Sequence, residues 1–145
     1  MAFDPKQFRS LIERVIEEVG MRSPAAVNLL LGTAAQESRF GTYLRQLDGG
    51  PAVGPFQCEP ATFQDLQERF QNVQRWMIGR SAEEMEWDIR LAILVCRLKY
   101  RSIPAALPAH DDLPGLAGYW KRYYNTAKGK GTIEEFMRNY RRYVV

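Results

Sequence analysis

Histidine occurs once in the 145 residues, as His110, and cysteine twice, as Cys58 and Cys96. Neither cysteine belongs to a CxxC pair or lies near the histidine, so the spacing supports neither a metal site nor a redox motif. Both read as reduced apolar fillers, though sequence alone leaves a disulfide between them open. His110 stands beside Asp111 and Asp112 in a proline-rich connection. With no Ser or Cys nucleophile motif to serve, it reads as a solvated loop residue. No apolar run approaches the roughly 20 residues that cross a bilayer. The opening MAFDPKQFRS lacks the charged-then-apolar layout of a signal peptide. The chain is therefore expected to be made in a cytoplasm and, if it acts elsewhere, to be carried by virion packaging or released at lysis. A phosphate loop is missing too. Pro55-Phe56 follows Gly54 where Lys-Ser/Thr is required, and the GKG-Thr ending at Thr132 lacks the leading glycine.

What is present is globular in composition, with 46% hydrophobic and 26% charged residues, which is enough for one domain over 1–145 with a sizeable core. The net charge of +3 is unevenly placed. Between Gly118 and Val145 stand Lys121, Arg122, Lys128, Lys130, Arg138, Arg141 and Arg142 against Glu134 and Glu135. Such an end suits an anionic partner or is a solvated basic surface.

Periodicity predicts an all-α chain, or α with a small β excursion. Asp4-Pro5 is a helix start, and Phe8, Leu11, Ile12, Val15, Ile16 and Val19 follow as one stripe up to Gly20. Ser23-Pro24 repeats the signal. The second helix is apolar nearly all round, which predicts the central buried helix. Glu37 falls on the face of Leu30 and Ala34, in the last turn or two before Gly41. Apolar neighbours and the negative end of the helix dipole both favour its protonated form, as a general acid at neutral pH requires. The bland alternative is an exposed helix-end Glu, or one paired with Arg39 or Arg45.

Residues 41–57 hold four glycines and two prolines, and read as a loop with a short strand or hairpin around Asp48-Gly49-Gly50. A further helix is expected from Pro60 to Phe70, continuing to Met77. The next is a long one capped by Ser81 and Glu84 and carrying Met85, Ile89, Ile93, Cys96 and Tyr100. Leu113–Tyr124 is an aromatic-rich helix, and Thr132 with Glu135 opens the last.

Glu37-Ser38-Arg39-Phe40, at the end of a buried helix, resembles the Glu-Ser-x-Phe element of soluble lytic transglycosylases and goose-type lysozymes. Ala52, Gly54, Gln57, Pro60 and Thr62 match that family's Ala-x-Gly-Leu-Met-Gln-Ile-x-Pro-x-Thr element, with Pro55, Phe56 and Cys58 in place of its usual apolar residues. The family's third element, Ala-x-x-Tyr-Asn-Ala-Gly, fits in two registers. Leu116-Ala117-Gly118-Tyr119 puts Trp120 at the Asn, while Tyr124-Asn125-Thr126 keeps Tyr-Asn but has Lys121 and Arg122 where small residues belong.

The resemblance implies a lysozyme-like domain that cleaves the β-1,4 bond between N-acetylmuramic acid and N-acetylglucosamine in peptidoglycan. Glu37 would be the catalytic acid/base. Ser38, Phe56, Gln57, Tyr119, Tyr124 and Asn125 would hold the sugar, with no metal or cofactor. A hydrolase normally needs a second carboxylate, and Asp48 and Glu59 are the nearest in sequence. Neither is marked by the pattern, which favours the transglycosylase over a muramidase. Two other readings remain. One is an inactive wall-binding or virion component. The other is a nucleic-acid binder in which Tyr119, Trp120, Tyr123 and Tyr124 interleave with Lys121 and Arg122.

Overall fold

The Asp4 side chain accepts from the Gln7 N–H at 2.9 Å, and Pro5 occupies the first helical position, where no intrahelical N–H is needed. This starts α1, Pro5–Glu18, which buries Phe8, Ile12, Val15 and Ile16. The computed structural model describes residues 1–125 and 129–145. Thr126 of the Tyr-Asn register and Lys128 of the basic run lie outside the described residues. Regular structure among the described residues is helical throughout, with no strand.

The Ser23 hydroxyl, accepting from the Ala26 N–H, starts α2, Pro24–Ser38. Ten of its fifteen residues are buried, and it packs against α1, α4, α5 and α6, so it is the axis of the fold. Gly32 sets the spacing to α6: a Cβ there would sit 2.4 Å from Phe136 Cζ.

The segment expected as one helix to Met77 divides. The helix α3, Pro60–Arg69, stops at Phe70, and Gln71–Trp76 winds as 3-10 turns that bring Val73 and Met77 into the core. The Gln67 amide donates to the Met77 carbonyl at 3.0 Å and fastens the new direction. The Ser81–Glu84 capping box forms, but it opens a short 3-10 segment, Ala82–Glu86, and not the long helix. Arg80 pairs with both Glu84 and Asp88, drawing the chain back on itself. Asp88 then caps a separate helix, α4, Ile89–Arg101.

The hairpin expected near Gly49 is reduced to isolated antiparallel bridges, Arg45 with Val53 and Val53 with Cys58. The Asp48 carboxylate accepts from the Gly50 N–H and closes the turn. Gly54 (φ +87°) passes over Met85, where a Cβ would meet the Met85 carbonyl oxygen at 2.5 Å.

The helix α5 spans Leu113–Trp120, and Lys121–Asn125 continue it as one wide π-helical turn. Thr132 caps α6, Ile133–Tyr143, by accepting from the Glu135 N–H. Cys58 and Cys96 are both buried and free. Among the described residues no helix is long and apolar enough to cross a membrane.

Candidate functional site

At the end of α2 the chain takes three left-handed residues in succession: Arg39 (φ 50°), Phe40 (φ 59°) and Gly41 (φ 82°). For the two non-glycine residues this costs about 1–2 kcal/mol each. The cost is offset by burial. Phe40 is fully buried, with its ring against Phe8 at 5.2 Å and Tyr143 at 6.1 Å, and its carbonyl accepts from the Phe3 N–H. The Ser38 hydroxyl donates to the Ala34 carbonyl and accepts from the Gly41 N–H, so it serves the cap.

This turn fixes Glu37. Its backbone carbonyl accepts from the Tyr43 hydroxyl at 2.8 Å. Its Oε2 accepts from the Trp120 indole N–H at 2.9 Å. Protein surrounds the carboxyl on most sides, yet the residue keeps a partial opening to solvent. Burial raises its pKa from the ordinary 4.5 to about 7, against smaller lowering effects from the Trp120 N–H and the Lys99 charge. Neither Arg39 nor Arg45 neutralises it, since Arg45 pairs instead with Glu86. The indole is donor only. Oε2 is therefore held as an acceptor, and Oε1 is left to carry the proton. Near neutrality such a group both gives and takes a proton.

The opening at Glu37 is the middle of a cleft with two arms, and Glu37, Tyr43 and Asn125 line both. The first arm, about 640 Å³, runs beneath the Gln46–Asp48 turn and past Gln57, Glu59, Lys99 and Tyr124. The second, about 1100 Å³, runs between the end of α2 and α6, past Gln36, Arg39, Arg138, Asn139 and Arg142.

The first arm is anchored by the aromatic end of α5. The Tyr124 hydroxyl donates to the Phe56 carbonyl at 2.6 Å, which ties the π-turn to the Gln57 loop. The Tyr124 ring stacks on Tyr100 at 5.2 Å and takes the Lys99 ammonium over its face at 3.7 Å. Gln57 itself has a left-handed backbone (φ 49°), and its side-chain amide donates to the Gly54 carbonyl.

Of the residues singled out by sequence, Glu37, Gln57, Tyr124 and Asn125 meet at the first arm. Ser38 and the Phe56 ring are buried away from it. Tyr119 lines neither arm, because its hydroxyl donates to the Ala105 carbonyl and its ring packs on Tyr123 and Tyr100. Trp120, Lys99 and Tyr43 were not singled out as site residues. Trp120 stood at the Asn of one register, and that misfit was the available signal. Lys99 and Tyr43 had none. Trp120 and Tyr124 are buried, so neither presents a face for base stacking, and Lys121 is spent on Asn125, Gly129 and Gly131. Among the described residues no group of metal-ligating side chains is present. Comparisons with protein-family models, curated proteins and solved structures returned no match.

Proposed function

We propose that the chain is a lysozyme-like peptidoglycan lytic transglycosylase in which Glu37 is the acid/base. The observation that carries this reading is a carboxyl of pKa about 7, opened to solvent at the junction of two cleft arms and held by an indole N–H. The glycan lies along both arms, with the scissile β-1,4 bond over Glu37. Oε1–H protonates the bridging oxygen as the muramoyl C1–O bond breaks. The carboxylate left behind accepts the proton of the muramoyl C6 hydroxyl as O6 bonds to C1. The product is a 1,6-anhydro end, Glu37 is again protonated, and no water is consumed. Gln57, Asn125 and the Tyr124-anchored loop orient the sugar beside the reacting bond.

A second reading has support in the lining of the first arm, where Asp48 and Glu59 share the cavity with Glu37. A muramidase would use one of them to activate water or to form the glycosyl intermediate. Mass spectrometry of muropeptides from purified peptidoglycan, digested by the native chain and by Glu37→Gln, separates these readings. Anhydro products, lighter by one water and lost in the variant, are expected. Reducing products lost in the variant would move the assignment to the muramidase. No products from the native chain would overturn catalysis altogether.

A further inference from the structure

The two arms of the cleft differ in charge. The first carries Asp48 and Glu59 against Lys99. Apart from Glu37, which lines both arms, the second carries Arg39, Lys130, Arg138 and Arg142 against Glu135. All four of those cations are exposed, and among the described residues none forms an ion pair. Glu135 is engaged locally, at 3.3 Å from the Thr132 hydroxyl at the start of α6. The floor beneath them is neutral and fastened, because the Asn139 amide donates to Gln36 Oε1 at 2.7 Å and so joins α6 to α2. Unpaired cations along one arm of a trench reinforce one another more than scattered surface charges do.

A strand without its peptides offers such an arm hydroxyls, acetamides and one short lactyl carboxylate on each muramoyl residue. The muramoyl residues of a wall strand bear lactyl groups, and the peptides attached to these end in carboxylates. We propose that the α2–α6 arm binds these carboxylate-bearing peptide side chains, so that the domain selects peptide-substituted strands over bare ones. The inference rests on the cleft being a peptidoglycan site. The arm is continuous with the position of Glu37, so a strand with its reacting bond there carries its next peptide substituents into the cationic arm. Arg39 reaches the arm from the turn after α2, Arg138 and Arg142 from successive turns of α6, and Lys130 from the segment before it. Four origins around one trench suit several carboxylates spread along a flexible peptide better than one compact anion.

The test compares glycan strands carrying their peptides with the same strands stripped by an amidase. Binding is read by co-sedimentation or calorimetry with the full chain bearing Glu37→Gln, so that turnover does not intrude, and cleavage with the native chain. With each exposed cation contributing about two- to fivefold, roughly tenfold tighter binding to substituted strands is expected, shrinking as salt rises. Arg138→Gln with Arg142→Gln should remove most of that preference, weakening binding of substituted strands much more than of stripped ones, with the melting temperature unchanged. Equal affinity for both strands would overturn the proposal. So would a variant that weakens both equally, and so would displacement of the preference by any polyanion such as DNA. If the native chain cleaves neither polymer, the enzyme reading fails while the binding comparison still decides this one. If the chain binds neither polymer, both fall.

Discussion

The Trp120 indole N–H donates to Glu37 Oε2 at 2.9 Å, joining the last turn of α5 to the last turn of α2. A carboxyl in such apolar surroundings would otherwise rotate among several positions. The bond selects one, and it opposes part of the burial that raises the pKa.

Removing that donor has a readable sign. A hydrogen bond to the ionised form favours ionisation, so Trp120→Phe is expected to raise the Glu37 pKa further. The bond is worth about 1.5–3 kcal/mol, which moves the alkaline limb of the pH–rate profile up by about 1–2 pH units. The smaller ring also leaves a cavity costing about 1–3 kcal/mol, read by denaturant unfolding. A limb that stays in place would mean that the indole does not act on the acid.

Glu37→Gln should be inactive and, above neutrality, more stable than the native chain. The folded state holds the Glu37 proton more tightly than the unfolded chain does. Stability from this group is therefore fully present below about pH 4.5 and is lost as pH rises through about 7. The shift corresponds to about 3 kcal/mol. Urea unfolding should favour the variant by about 2–3 kcal/mol at pH 8 and show little difference at pH 4. Equal stabilities at both pH values would contradict the buried-acid assignment.

Lys99→Met acts in the same direction as Trp120→Phe but by less, because the Lys99 charge is the smaller of the two lowering influences. The alkaline limb should move up by a fraction of a pH unit. The ammonium also leaves the face of Tyr124, a loss of about 0.5–2 kcal/mol in stability. The variant therefore separates from a purely structural one by its pH profile.

Gly32→Ala should destabilise the fold by about 1–3 kcal/mol. The new methyl would strike Phe136, which is fully buried and packed on Trp120 at 5.3 Å, so the ring has nowhere to yield. A lowered denaturation midpoint together with a disturbed Trp120 fluorescence is expected.

Both thiols should resist a water-soluble disulfide reagent in the native state and react in denaturant. Burial pushes the Cys58 pKa up to about 11 and that of Cys96 well above its ordinary value, so neither is a thiolate at neutral pH. Rapid native labelling of either would contradict the packing described above.

The helices that sequence places best are those with a cap and an unbroken stripe. Asp4-Pro5, Ser23-Pro24 and Thr132 each start a helix where the pattern says one should start. The errors lie where two local signals compete. Ser81-Glu84 and Asp88 are both sound caps, and the Arg80 pairs decide in favour of a fresh start at Asp88. Beyond Phe70 the apolar spacing of Val73 and Met77 fits an α-helix as well as the 3-10 turns that form. The convergence of Trp120 and Asn125 at Glu37 was not readable. A regular helix would carry residues five apart to different faces, and the π-helical turn directs Trp120 onto Glu37 and Asn125 into the arm beside it.

The left-handed turn after α2 bears on the order in which the chain assembles. Arg39 and Phe40 do not hold that conformation on local preference. They are held by Phe3 and Phe8 from one end of the sequence and by Tyr143 from the other. The Phe40–Tyr143 contact closes one of the longest loops in the chain, and such a loop closes late. The acid is thus shaped only when α1 and α6 are both docked, and a chain still lacking α6 has Glu37 and the residues of the first arm without their geometry. The site is a product of the finished tertiary structure, and its activity reports completion of folding as much as it reports the chemistry of Glu37.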